Sequence, residues 1–274
     1  MISRVSEYLK RSPLLLFFLL SLIISWAIWV PQAAVTLGII ESAVPPESPL
    51  MLLSVWGPGL AAIVVTLVMA GKAGLRKLFH PIRYWSVGIQ WYLFVLFYPA
   101  AIWLVGRAID TLLGQSYELT IPILTHFGPE QAIMVPVALL SAFPNTLGEE
   151  LGWRGFALPK LQAKYNALVS SIILGLLWGF WHIPLWIANG QMGLSLLVDV
   201  LTIIAAAILF TWVYNNTNGS LLLVWLFHWA MTITGYFLAP LPTLTDDILR
   251  WGVPVLVVII AKPAHLSRKR ITSR

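Results

Sequence analysis

Apolar runs long enough to cross a lipid bilayer recur along the whole chain, and they limit its fold more than any other feature. The first extends from Pro13 to about Val30, and others follow at about 49–70, 88–108, 130–158, 166–188, 194–214, 219–239 and 249–261. A hydrocarbon core about 30 Å thick is spanned by about 20 helical residues, and inside it every backbone N–H and C=O must be satisfied within the chain. The runs therefore predict an all-α, polytopic transmembrane bundle of about eight spans. Because the last run is short and contains Pro254, seven spans plus a partial one is the variant of the same reading. With 59% hydrophobic and 10% charged residues in 274 and a mean hydropathy of +0.84, one membrane-embedded domain, 1–274, accounts for the chain. Residues 130–240 form its core. The absence of cysteine excludes disulfides, thiolate metal sites and cysteine nucleophiles.

Charge orients the bundle. Eight spans with the N-terminus inside place Arg4, Lys10, Arg11, Lys72, Arg76, Lys77, Arg83, Arg154, Lys160, Lys164, Lys262, Arg268, Lys269, Arg270 and Arg274 on the inner side, 15 of the 17 Lys and Arg residues. Glu41, Glu47, Asp110, Glu118, Glu130, Asp246 and Asp247 collect outside, so both termini are expected in the cytoplasm and the chain in the cytoplasmic membrane. The net charge of +6 is thus a topology signal rather than a nucleic-acid footprint. The run from Pro13 is longer than a signal-peptide core and lacks a small-x-small cleavage site, so it reads as a retained span. Gly74 to Trp91 mixes basic and aromatic residues, and its first half reads as an amphipathic helix on the cytoplasmic surface.

Against this background, Ser141 to Leu161 stands out because it places Glu149, Glu150 and Arg154 in a bilayer-spanning run. Each ionisable group at a helix centre costs roughly 2.5–3.5 kcal/mol on insertion scales, which makes function the default explanation. Helical spacing puts Arg154 four residues after Glu150 on one face, an ion pair, and leaves Glu149 beside Trp153 without a partner nearby in sequence. An unpaired carboxylate suits a general base. His182 and His228 are the histidines within later spans, and Asp199 falls near the outer end of its span. Counted from a turn near 160–166, Glu149, His182 and His228 lie at depths spread over about 15 Å at 1.5 Å per residue, reconcilable by tilt or a kink at Pro144. Gly148 and Gly152, and Gly175 and Gly179, carry the small-xxx-small spacing that lets two membrane helices touch, and predict close approach of the two helices bearing Glu149 and His182.

One carboxylate and two imidazoles are the ligand set of a His2Glu zinc site with a position left for water. Without metal, Glu149 and His182 can deprotonate a water while His228 donates to the oxyanion. Both readings are addition of water to a carbonyl inside a membrane cavity. A proton relay through Glu149, His182 and Asp199 in a small transporter is the competing use of the same residues.

The order Glu149-Glu150-x-x-x-Arg154, Trp178-x-x-x-His182 and His228 resembles the CPBP family of intramembrane proteases, which includes CAAX prenyl endopeptidases of the Rce1 type and bacteriocin-immunity (Abi) proteins. The similarity covers about 130–240. It implies that Glu149 activates water, that Glu150 and Arg154 support it, and that His182 and His228 complete the site. It leaves zinc dependence and a metal-independent glutamate mechanism both open. The implied partners are the lipid bilayer and a membrane-associated peptide or protein substrate cleaved near the cytoplasmic face. Thr232 stands where the family usually has Asn four residues after its histidine, which makes a non-catalytic scaffold or immunity factor the alternative function.

Overall fold

The computed structural model describes residues 12–45, 48–115, 120–127, 133–239 and 244–267. The apolar runs are helical: α1 (Pro13–Thr36), α2 (Pro49–Val55), α3 (Gly57–Phe79), α4 (Ile89–Leu112), α5 (Pro122–Phe127), α6 (Met134–Glu150), α7 (Leu158–Gln162), α8 (Ala167–Ala188), α9 (Leu194–Asn216), α10 (Leu221–Phe237) and α11 (Leu244–Ala261). No strand occurs among the described residues. Pro13–Thr36, Gly57–Arg83, Ile89–Leu112, Ala167–Ala188 and Leu194–Asn216 are each long and apolar enough to cross a membrane, and Leu221–Phe237 is a shorter apolar helix. The fold is therefore the expected polytopic helical bundle. Of the charges used for orientation, Arg4, Lys10, Arg11, Glu47, Glu118, Glu130, Arg268, Lys269, Arg270 and Arg274 lie outside the described residues.

Sequence periodicity does not anticipate the backbone between α6 and α7. Leu151–Ala157 winds as a π-helix, so the chain from Met134 to Gln162 is helical throughout, with one wide segment in its middle. Such segments weaken the regular hydrogen-bond ladder and recur at functional sites. This one is held by packing, since Leu151, Gly152, Trp153, Arg154, Phe156 and Ala157 are all buried. A turn at 163–166 follows, and Asn166 starts α8 by accepting a hydrogen bond from the Val169 N–H at 2.9 Å.

Both glycine pairs mark close helix approaches, with partners other than those expected. An added Cβ on Gly152 would lie 2.5 Å from Pro58 Cβ, and one on Gly148 would lie 2.7 Å from the Trp56 ring, so this pair packs the carboxylate-bearing segment against the start of α3. Gly175 and Gly179 instead receive Ile204 and Val200 of α9. Gly152→Ala is accordingly expected to destabilise the protein by about 1–3 kcal/mol, because Pro58 backbone atoms cannot move aside as a flexible side chain could. Thermal unfolding in detergent would show a lowered midpoint; an unchanged one would mean that these two segments do not cross as described.

Buried aromatic residues fasten α1 and α8 together. Trp181 Nε1 donates to Ser25 Oγ at 2.8 Å, Ser25 Oγ donates to the Ser54 carbonyl at 2.6 Å, and Trp26 Nε1 donates to the Trp181 carbonyl at 3.0 Å. Each is a polar atom satisfied inside apolar surroundings, so the three elements are fixed in register as well as in contact. The frame that results holds α8 still one residue before His182.

Candidate functional site

Glu149 and Glu150 end α6, and Arg154 follows one turn later in the π-helix; all three side chains are buried. Arg154 Nη1 donates to Glu150 Oε1 at 2.9 Å, as the four-residue spacing predicts. The guanidinium carbon sits 4.3 Å from the ring centres of both Trp178 and Phe210. A desolvated guanidinium in water-poor surroundings is stabilised by aromatic faces as well as by its carboxylate. Phe210 carries no sequence signal of this role, being one apolar residue in an apolar helix.

Glu150 Oε1 also accepts from a second group. His228 Nδ1 lies 2.8 Å from the same oxygen, so α10 is joined to the ion pair through its histidine. That bond fixes the ring, and leaves Nε2 as the nitrogen able to act on anything else. Thr232 does not add a donor beside it: its hydroxyl bonds the His228 carbonyl at 3.1 Å, turning back on its own helix.

Glu149 is separate from this trio and has its own partners. Trp178 Nε1 donates to Glu149 Oε2 at 2.8 Å. The indole expected to lie over Glu149, Trp153, has its ring instead among Phe17, Phe18 and Trp181, with centroids 5.5, 6.2 and 5.7 Å away. His182 Nε2 is 4.0 Å from the same Glu149 oxygen. His182 Nδ1 lies 3.0 Å from the Trp178 carbonyl, which can only accept, so the Nδ1 nitrogen carries the hydrogen. The ring is held parallel to Trp186 at 5.2 Å and 11°, and to Trp29 at 6.4 Å and 15°.

Trp178 thus serves three neighbours. Its indole N–H meets Glu149, its carbonyl meets His182 and its ring face meets Arg154. The depth spread of about 15 Å estimated from straight helices does not survive: Glu149 with His182, and Glu150 with His228, are in direct or near contact. Asp199 stays apart, its carboxylate accepting from Gln191 Nε2 at 2.7 Å.

A metal centre would draw on the same donors. Among the described residues, no three His, Asp or Glu side chains lie together as a ligand group. The Nδ1 atoms of His182 and His228 each bond an acceptor, which leaves both Nε2 atoms free in the way a metal-ligating histidine is usually oriented, and the indole on Glu149 Oε2 leaves Oε1 free. If a metal ion bound here, Glu149, His182 and His228 would hold it, and no chemical step below passes through one.

Comparison with known proteins places the same region. Residues 131–234 match the family model described as type II CAAX prenyl endopeptidase Rce1-like. CAAX prenyl protease 2 of Methanococcus maripaludis is 33% identical over 133 residues, which cover 45% of this chain and 47% of that protein. The match thus spans about half the length of the curated relative.

Proposed function

Taking residues 131–234 as a Rce1-like segment of the CPBP family, we propose that the chain is an intramembrane endopeptidase that hydrolyses a peptide bond of a membrane-associated substrate. The observation that carries this reading is the 4.0 Å separation of Glu149 Oε2 and His182 Nε2. Both atoms are hydrogen-bond acceptors, one a carboxylate oxygen and the other the bare nitrogen of the tautomer set by the Trp178 carbonyl. Two acceptors at this distance are too far apart to bond directly and close enough for one water to donate an O–H to each. A water so held has its lone pairs turned away from both groups, towards any carbonyl carbon presented from the other side.

The chemical roles follow from that placement. Glu149 takes the proton as the water attacks, and His182 keeps the water oriented. His228 is held by Glu150 through Nδ1, and its Nε2 is assigned the role of donor to the reacting carbonyl oxygen. With a hydrogen on both ring nitrogens, His228 offers the Nε2–H that an oxyanion needs while Nδ1–H stays bonded to Glu150. Arg154 acts at one remove, holding Glu150 in place. A zinc ion, if bound, would supply Lewis-acid polarisation of the water; the steps written here belong to the side chains alone. A prenylated substrate and a cytoplasmic-side cavity are the family's implications and form part of the same proposal.

The test is cleavage in proteoliposomes of a quenched peptide library carrying a membrane anchor, with products identified by mass. Paired fragments whose masses sum to substrate plus one water support the proposal, and intact substrate throughout the library counts against it. Trp178→Phe sharpens the test. It keeps a ring beside Arg154 but deletes the donor to Glu149, and a hydrogen bond to a charged group is worth about 1.5–3 kcal/mol. Cleavage is expected to fall by about 10- to 100-fold.

Thr232 favours a second reading, a non-catalytic scaffold or immunity factor of the same fold, because its hydroxyl is spent on its own helix. A strain lacking the protein separates the two. Equal rescue by wild type and by a Glu149→Gln/His182→Ala double variant supports the scaffold, and rescue by wild type alone supports the peptidase.

A further inference from the structure

The segment after Gly71 is not used by the chemistry above. Gly71 adopts φ 59° and ψ −157°, a conformation that breaks helical continuity and suits glycine, so residues 72–79 leave the direction of α3 as a separate arm. The arm runs on into the 3-10 turn His80–Arg83. Its inner side is apolar: Gly74 and Leu78 are buried, and Leu75 and Ile82 are half-buried. Its outer side carries Lys72, Arg76, Lys77 and Arg83, all exposed. Among the described ion pairs, none involves any of these four cations. Beside them Phe79, Tyr84 and Trp85 are exposed at 39%, 37% and 68%.

We infer that this arm is a binding surface for anionic phospholipid headgroups. Unpaired cations flanked by exposed aromatic rings match a bilayer interface, where the rings enter the headgroup layer and long Lys and Arg stems lie along apolar surface with their charges in the polar zone. An acidic soluble peptide would account for the cations but not for three exposed aromatic side chains beside them.

The arm is also tied to the helices that carry the site. Ser220, which caps α10 by accepting from the Leu223 N–H, donates its hydroxyl to the Tyr84 carbonyl at 2.6 Å. Leu78 Cδ1 would be 3.6 Å from a Cβ placed on Gly155 in the π-helix. Headgroups held on the outer face therefore steady the start of the helix bearing His228 and the wide segment bearing Arg154. This surface is independent of whether the chain hydrolyses a peptide bond.

The experiment uses the full chain in a neutral detergent, titrated with phosphatidylglycerol or with phosphatidylcholine, and reads the thermal unfolding midpoint. Phosphatidylglycerol is expected to raise the midpoint in a concentration-dependent way, with phosphatidylcholine giving little, since a ligand that binds only the folded state stabilises it by mass action. Each cation near an anionic surface is worth roughly fivefold in partitioning, so Lys72→Gln/Arg76→Gln/Lys77→Gln should need on the order of a hundredfold more lipid for the same rise. High salt should weaken the wild-type response, and Lys164→Gln/Lys262→Gln, which removes exposed cations elsewhere, should leave it intact. Equal shifts by the two lipids, a wild-type response in the triple variant, preference for an added acidic peptide, or an equal loss in the control variant would each overturn the inference.

Discussion

Glu149→Gln is expected to lower kcat for cleavage of a membrane-anchored peptide by about 10²- to 10⁴-fold, the usual contribution of a positioned general base. The substitution is nearly isosteric. Its amide oxygen can still accept the Trp178 indole N–H, which keeps the 2.8 Å bond and the surrounding packing. That same oxygen faces His182 Nε2 across the 4.0 Å gap, where the amide can still accept from a water but is far too weak a base to take its proton. An unfolding midpoint close to wild type, together with lost turnover, would place the effect in chemistry. Undiminished turnover would remove Glu149 from the mechanism.

The second large effect is on stability. Arg154→Ala deletes the guanidinium that bonds Glu150 at 2.9 Å and fills the space between Trp178 and Phe210. Removing one partner of a buried ion pair leaves an uncompensated charge and costs about 3–5 kcal/mol. Replacing both partners with apolar side chains of similar volume removes the unpaired charge but leaves His228 Nδ1 without its Glu150 acceptor, so Glu150→Leu/Arg154→Met should recover only part of the loss seen in Arg154→Ala. Equilibrium unfolding of the single and double variants in mixed micelles compares the two. A single variant within about 1 kcal/mol of wild type would mean that the pair is solvated, as surface pairs are.

The contrast between these two carboxylates was legible in the sequence, and it rests on one spacing. A helix puts residues four apart on one face, which assigned Arg154 to Glu150 and left Glu149 over. The spacing could not name what Glu149 would meet. Trp153 was the expected neighbour on a regular α-helix, but the backbone widens at Leu151, and the indole that reaches the carboxylate comes from Trp178 on the next long helix. A π segment has no residue signature of its own. Here it is stabilised by burial, with Gly152 against Pro58, a contact between positions nearly a hundred residues apart.

The glycine pairs teach a related lesson. Four-residue spacing of small residues shows that a face permits close approach, and it does not show which helix takes the place. Gly148 and Gly152 admit the start of α3, while Gly175 and Gly179 admit α9. Depth estimates along straight helices failed for the same reason, since they ignore tilt and winding, and only the packed bundle brings His182 to 4.0 Å from Glu149. Apolar run lengths and the turn near 160–166 were read well because each depends on local chemistry: bilayer thickness in one instance, a helix-starting Asn166 in the other. The hydroxyl of Thr232 lies between these extremes, since its position beside His228 was evident and its choice of acceptor was not.

The central claim is that Glu149 and His182 act as one device upon a single water molecule, and a double-mutant cycle tests it most directly. It compares kcat/KM for one anchored peptide among wild type, Glu149→Gln, His182→Ala and the double variant. Groups that share one water lose their joint function when either is removed, so the double variant should be no slower than the slower single variant, within about threefold. If the two losses multiply instead, the carboxylate and the imidazole work independently, and the account of a shared water is wrong.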